Sequence, residues 1–341
     1  MASLFEAFNA RFDASDPLEA TPLFMRRLLF PIALLIAALA VPSVAGAYTL
    51  GVSDQRASTF TNPLFAPLKF KAARYITPYD VMDSPADKAA LDAWIAGARA
   101  AHQKILISFE HSHRSNSRAL KAPSVAAYTK ELKKFKAAYP DVKQISPWNE
   151  VNRCHAMRAG SIQGQPTKIC SLSTGPKLTA QYYMAARKLF KGSKYTIVGL
   201  DILDEQNVNK TIKYLQSFLR HASPDPKVIG FHNYSDTNRF STTRTKRVLQ
   251  TFRGKVWLTE TGGIVKLGSS FPYSTSRAKR ALGCMFTLAK SNSRIQALFV
   301  YQFNPADSRS DFFDAGLFNT DGSKRPGYSV VQHRKRSACH K

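Results

Sequence analysis

Val142-Lys143-Gln144-Ile145-Ser146-Pro147-Trp148-Asn149-Glu150 is the stretch from which this chain is best read. Residues 142–147 make a short apolar run of strand type, and an aromatic ring, an amide and a carboxylate follow at its carboxyl end. An Asn-Glu pair alone decides nothing, because most such pairs are solvated loop residues. Its position in a larger pattern gives it meaning.

That pattern extends in both directions. Runs of the same kind fall at 48–53, 73–78 and 104–109 before it, and at 196–203, 228–234, 255–260 and 295–303 after it. They are rich in Val, Ile, Leu, Tyr and Phe, and several are almost continuously apolar, as strands buried on both faces are. Longer segments of helical period lie between them. Leu91, Trp94, Ile95 and Ala98 form one stripe, and Tyr128, Leu132 and Phe135 form the next. Leu178, Tyr182, Ala185 and Leu189 follow, then Ile212, Leu215 and Leu219, and later Ala278, Leu282 and Met285. A weaker helix is expected at about 242–252 and a last one near 327–336. Eight β-then-α units predict an α/β chain folded as a single-domain (β/α)8 TIM barrel. No Gly-rich dinucleotide or phosphate loop follows the first strand, which argues against an open doubly wound sheet.

The first 47 residues read differently. Arg26 and Arg27, the apolar run Leu28 to Val41 and the small-residue site Ala45-Gly46-Ala47 have the order of a secretory signal over 25–47. The run is too short for a stable membrane span. Residues 1–24 are either an upstream extension preceding a start at Met25 or a genuine N-terminal segment. The mature chain, 48–341, is then expected to be a secreted or cell-envelope-associated monomer. Its four cysteines favour disulfides over metal in an exported protein. Of the three connectivities, Cys154–Cys170 would staple the loop after Glu150, and Cys284–Cys339 would tie a late helix to the tail.

Charge narrows the partners. The whole chain carries +26; removing 1–47 takes away three Arg and four acids and leaves +27. Such a surface suits a polyanionic neighbour, for example an anionic cell-envelope polymer, while general solubility is the plainer explanation. Nucleic acid is disfavoured, because no helix-turn-helix, RNP or zinc-finger pattern accompanies the charge.

The candidate chemistry sits where barrel active sites sit, at the carboxyl ends of strands. The segment 48–341 holds only five glutamates, and three of them, Glu110, Glu150 and Glu260, end strands three, four and seven. Glu260 lies in Val256-Trp257-Leu258-Thr259-Glu260-Thr261-Gly262-Gly263, where the glycines let the backbone turn away from the carboxylate. Two carboxylates across one barrel mouth can divide the cleavage of a glycosidic bond between a proton donor and a nucleophile or base.

With these residues in view, the chain resembles a clan A glycoside hydrolase over nearly all of 48–341. Trp148-Asn149-Glu150 is similar to the clan's strand-four motif, which implies that Glu150 is the acid/base and Asn149 the residue holding a sugar 2-hydroxyl. Thr259-Glu260 is similar to the strand-seven nucleophile, and His232-Asn233-Tyr234 to the strand-six His-x-Tyr. Arg74 resembles the strand-two Arg that supports the nucleophile. Gly316-Leu317-Phe318 and the residues up to Tyr328 are similar to the closing turn before the last helix. The resemblance implies that a cation keeps Glu260 ionised while Glu150 holds a proton. It also implies a retaining O-glycosyl hydrolase acting on a poly- or oligosaccharide without cofactor or metal.

Two departures stand out. Strand eight offers Tyr301 and Phe303 where the clan has a Trp, and strand three ends Phe109-Glu110-His111, so either Glu110 or His111 is a candidate to face the mouth. Trp148 can serve as core or as sugar platform. The competing expectation is a carbohydrate- or polyanion-binding protein on an inactive barrel. His102, His111 and His113 show no metal-ligand spacing.

Overall fold

The computed structural model describes residues 48–153, 155–156, 168–169, 175–308 and 311–340. The expected signal segment, Cys154, Cys170 and the bridge proposed between those two cysteines lie outside the described residues. Eight strands close into one parallel barrel: β1 (Thr49–Ser53), β2 (Ala72–Pro78), β3 (Lys104–Glu110), β4 (Gln144–Ser146), β5 (Thr196–Leu203), β6 (Val228–His232), β7 (Lys255–Thr261) and β8 (Ile295–Val300). Each pairs with its sequence neighbours, and β8 returns to β1 to close the ring. The (β/α)8 expectation is therefore met.

Helices cover the outside: α1 (Pro85–Ala100), α2 (Val125–Ala138), α3 (Pro176–Leu189), α4 (Val208–His221), α5 (Thr243–Thr251), α6 (Thr275–Lys290) and α7 (Pro326–His333). Ser124, Asn207 and Ser274 each accept a backbone N–H from the first turn of α2, α4 and α6, satisfying donors that a helix start leaves open. Pro85, Pro176 and Pro326 stand in first turns, where no N–H is required. The stripe of α1 faces inward as its spacing predicts.

Three local expectations change. The first crossover is made by two 3-10 turns, Ala57–Thr59 and Ala66–Leu68, in a segment where Pro63 and Pro67 interrupt any longer helix. The inward face of α3 is Thr179, Tyr182, Tyr183 and Ala186, rotated from the predicted stripe because Tyr183 packs on Phe218 of α4 and donates to the Pro224 carbonyl. Strand six ends at His232, so Asn233 and Tyr234 leave the sheet for a short helix, Tyr234–Arg239.

Within the barrel, Ala72, Leu106, Val198, Val228, Ala297 and Phe299 form a small apolar cluster contributed by five strands. Gly51 makes room for it, since a Cβ there would stand 2.7 Å from the Phe299 ring. The Cys284–Cys339 bridge joins α6 to the tail as expected, with Cα atoms 4.8 Å apart. Among the described residues no helix is long and apolar enough to cross a membrane.

Candidate active site

The polar residues in and around the barrel form one connected network centred on two charges, Arg74 and Asp201. Arg74 lies in the middle of β2 and is fully buried. It donates to Glu260 Oε1 at 2.6 Å, to Asp201 Oδ2 at 2.8 Å and to Asn149 Oδ1 at 2.7 Å. Burial works against its charge, but Asp201 and Glu260 outweigh that and hold the guanidinium firmly protonated. Asp201 is also wholly buried. Burial opposes its ionisation too, yet Arg74 and His232 hold the carboxyl far below the usual range. Ser108 and Ser146 both donate to its Oδ2 at 3.2 Å, and Thr259 donates to Oδ1. An interior ion pair survives when its remaining lone pairs are met in this way.

His232 joins the two carboxylates at the mouth. Its Nε2 lies 3.1 Å from Asp201 Oδ1; its Nδ1 lies 3.1 Å from Glu150 Oε1 and 3.6 Å from Glu260 Oε2. Burial lowers the affinity of the ring for a proton, but Glu260, Asp201 and the bond to Glu150 more than reverse this, pushing its pKa up to about 10. Tyr234 donates to Glu260 Oε2 at 3.1 Å. Burial, then Glu260, push that phenol well above its normal range, so it is a fixed donor. One ligand atom each from Glu150, His232 and Glu260 lies within 4.8 Å of the others.

Glu150 does not sit on strand four itself. β4 stops at Ser146, and the turn that follows carries Glu150 in left-handed backbone, φ 41°. A non-glycine residue is held there only when its surroundings fix it. The Asn149 N–H bonds the Phe109 carbonyl, the Val151 N–H bonds the Asp201 carbonyl, and His232 and Arg153 grip the carboxylate. Arg153 donates to Glu150 Oε2 at 2.6 Å, and Glu150 is the main reason its pKa is raised.

A cavity of about 520 Å³ opens over this pair. Asn149, Glu150, Tyr234, Glu260, Tyr301 and Glu110 line it, so six of the sequence candidates meet there. Arg74 and His232 stand behind the carboxylates. Tyr301, rather than Phe303, is the β8 ring at the wall; Phe303 packs into the core on Phe65 and Phe318. Trp148 is not a platform for a ligand. It is buried between Tyr79 and Tyr182, with ring centroids at 6.1 and 5.3 Å, and supports the turn from behind. His111 is half-buried beside Glu110, off the cavity wall.

Sequence reasoning missed Asp201, Arg153 and Asp204. Asp201 had a visible signal, since a lone acid inside Thr196-Ile-Val-Gly-Leu-Asp-Ile-Leu203 needs a buried partner. Arg153 had only its spacing of three from Glu150. Asp204, at the end of β5, lines the cavity and accepts the Ser235 and Asp236 N–H groups, and burial pushes its carboxyl well up.

A closed parallel barrel with two carboxylates at the carboxyl ends of strands four and seven has the architecture of a TIM-barrel glycosidase. Residues 165–329, which span β5 to β8 and include Glu260, match the model of the glycosyl hydrolase catalytic core. Among curated proteins no sequence matches the chain. Solved structures of the same fold include GH5_18 from Streptomyces cattleya, with a TM-score of 0.60 at 14% identity over 84% of this chain and 79% of that one. A fungal beta-1,4-galactanase gives 0.60 at 14% over 84% and 99%. A GH10 endoxylanase from a sugarcane soil metagenome gives 0.59 at 12% over 85% and 97%. The chain therefore shares its (β/α)8 fold with these structures, and the glycosyl hydrolase catalytic core model matches its second half.

Proposed function

We propose that the protein is a retaining glycoside hydrolase acting on a poly- or oligosaccharide, with Glu260 as nucleophile and Glu150 as acid/base. The observation that carries this is the pairing of the two carboxylates, with one oxygen of each inside a 4.8 Å group at the mouth of the cavity. Double displacement needs carboxyl groups about 5–5.5 Å apart, whereas inversion leaves room for a water at about 6.5–9.5 Å. Arg74 and the Tyr234 hydroxyl each donate to Glu260 and hold its carboxyl toward the cavity, from where it would attack the anomeric carbon.

Glu150 then protonates the leaving oxygen and, in the second half-reaction, takes a proton from water. His232, bonded to Glu150 and close to Glu260, fixes the spacing between them. Asn149 gives its oxygen to Arg74, leaving its amide N–H2 for a sugar hydroxyl. Tyr301 is the ring against which a sugar face would lie. An anionic cell-envelope polymer as substrate and export by the signal at 25–47 fit the charge and the N-terminal sequence.

The test is covalent trapping. A panel of 2-fluoroglycosides and cyclophellitol-type epoxides should label Glu260, identified by peptide mass spectrometry, and Glu260→Gln should abolish both labelling and turnover. Turnover that inverts the anomeric centre, followed by NMR, would overturn the retaining assignment.

A further inference from the structure

Beside the cavity, outside the pair just described, the end of β3 gathers a second group of ligating side chains: Glu110, His111 and His113. We propose that these three residues form a site for a divalent transition ion of the zinc class, with Asp87 orienting one of the histidines.

His111 and His113 follow directly on β3, and their ring centroids are 5.5 Å apart. His111 Nδ1 lies 3.4 Å from Glu110 Oε2, and His113 Nε2 lies 3.6 Å from Glu110 Oε1. Both separations exceed an ordinary hydrogen bond of about 2.7–3.2 Å. One ligand atom from each of the three residues falls within 4.8 Å of the others.

The surroundings fit the same chemistry. His113 Nδ1 lies 2.9 Å from Asp87 Oδ1, so the carboxylate can hold the proton on that nitrogen and leave Nε2 to face Glu110. Carboxylate–histidine pairs of this kind orient metal-ligating imidazoles. In a chain of strongly positive charge, this corner places Asp80, Asp87 and Glu110 around two imidazoles. Three protein ligands leave a fourth position open, and Glu110 belongs to the cavity wall, so an oxygen of a bound saccharide can complete the shell.

This inference goes beyond the glycosidase reading and is tested without substrate. The full chain, stripped with a chelator, is titrated with Zn2+ by calorimetry and, separately, with Co2+ while visible absorption is recorded. One-to-one binding with a micromolar or tighter Kd and a strong tetrahedral Co2+ band are expected. His111→Ala and His113→Ala should each weaken binding at least tenfold, Asp87→Asn by about 10–100-fold, and the control His221→Ala not at all. Circular dichroism of each variant shows that the fold is kept. No saturable binding below millimolar Zn2+, or full affinity in His113→Ala, would overturn the site.

Discussion

At the scale of single residues, the pair Glu150–Arg153 is the most open to a direct experiment. Arg153 donates to the carboxylate proposed to carry a proton, and the attraction that raises the Arg153 pKa acts equally on its partner. Removing the cation favours the protonated form of Glu150. In Arg153→Gln the alkaline limb of kcat/KM, which follows loss of the acid's proton, should therefore move to higher pH. An unmoved limb would show that Arg153 does not act on the acid/base. The motif residues were legible at this scale because their chemistry is local: a carboxylate ending a strand, an amide beside it, a His-x-Tyr. Arg153 was not, because only the turn after β4 swings its guanidinium back onto Glu150.

At the scale of elements, the barrel interior depends on where a strand omits a side chain. Gly230 of β6 stands opposite Asp201 of β5. A Cβ at Gly230 would come within 2.2 Å of Asp201 Oδ1 and 2.6 Å of Thr259 Oγ1. Asp201 cannot give way, since Arg74 and His232 hold it. Gly230→Ala should destabilise the protein by about 1–3 kcal/mol in urea titration, with a fall in turnover as the carboxylate shifts. A change within about 0.5 kcal/mol would mean the site tolerates displacement. Asp54, just past β1, does related work at the far edge, accepting the Phe303 and Asn304 N–H groups and the Asn304 amide. It thereby pins the loop after β8, close to Tyr301.

At the scale of the whole molecule, closure of the barrel brings distant segments together, and the tail is fastened separately. The Cys284–Cys339 bridge spans 55 residues and holds the chain end against α6. A cross-link of that span removes unfolded-state entropy worth about 4 kcal/mol. Reduction, or Cys339→Ser, should lower Tm accordingly in calorimetry, and an unchanged Tm would show that tail docking alone suffices. Arg325 adds a polar clasp nearby, pairing with Asp314 at 2.8 Å just ahead of α7.

The eight strands, most of the helices, and the two carboxylates at strands four and seven were determined by the sequence itself. Apolar runs, helical stripes and the scarcity of glutamate are properties of the chain that no packing is needed to see. Tertiary structure decided the rest. It put Trp148 into an aromatic stack instead of the cavity, chose Tyr301 over Phe303 as the wall, and made Asp201 the counter-charge of Arg74 across 127 positions. The physical reason is that a buried charge is stable only beside its partner, and that partner is chosen by barrel closure and strand register rather than by the neighbouring sequence.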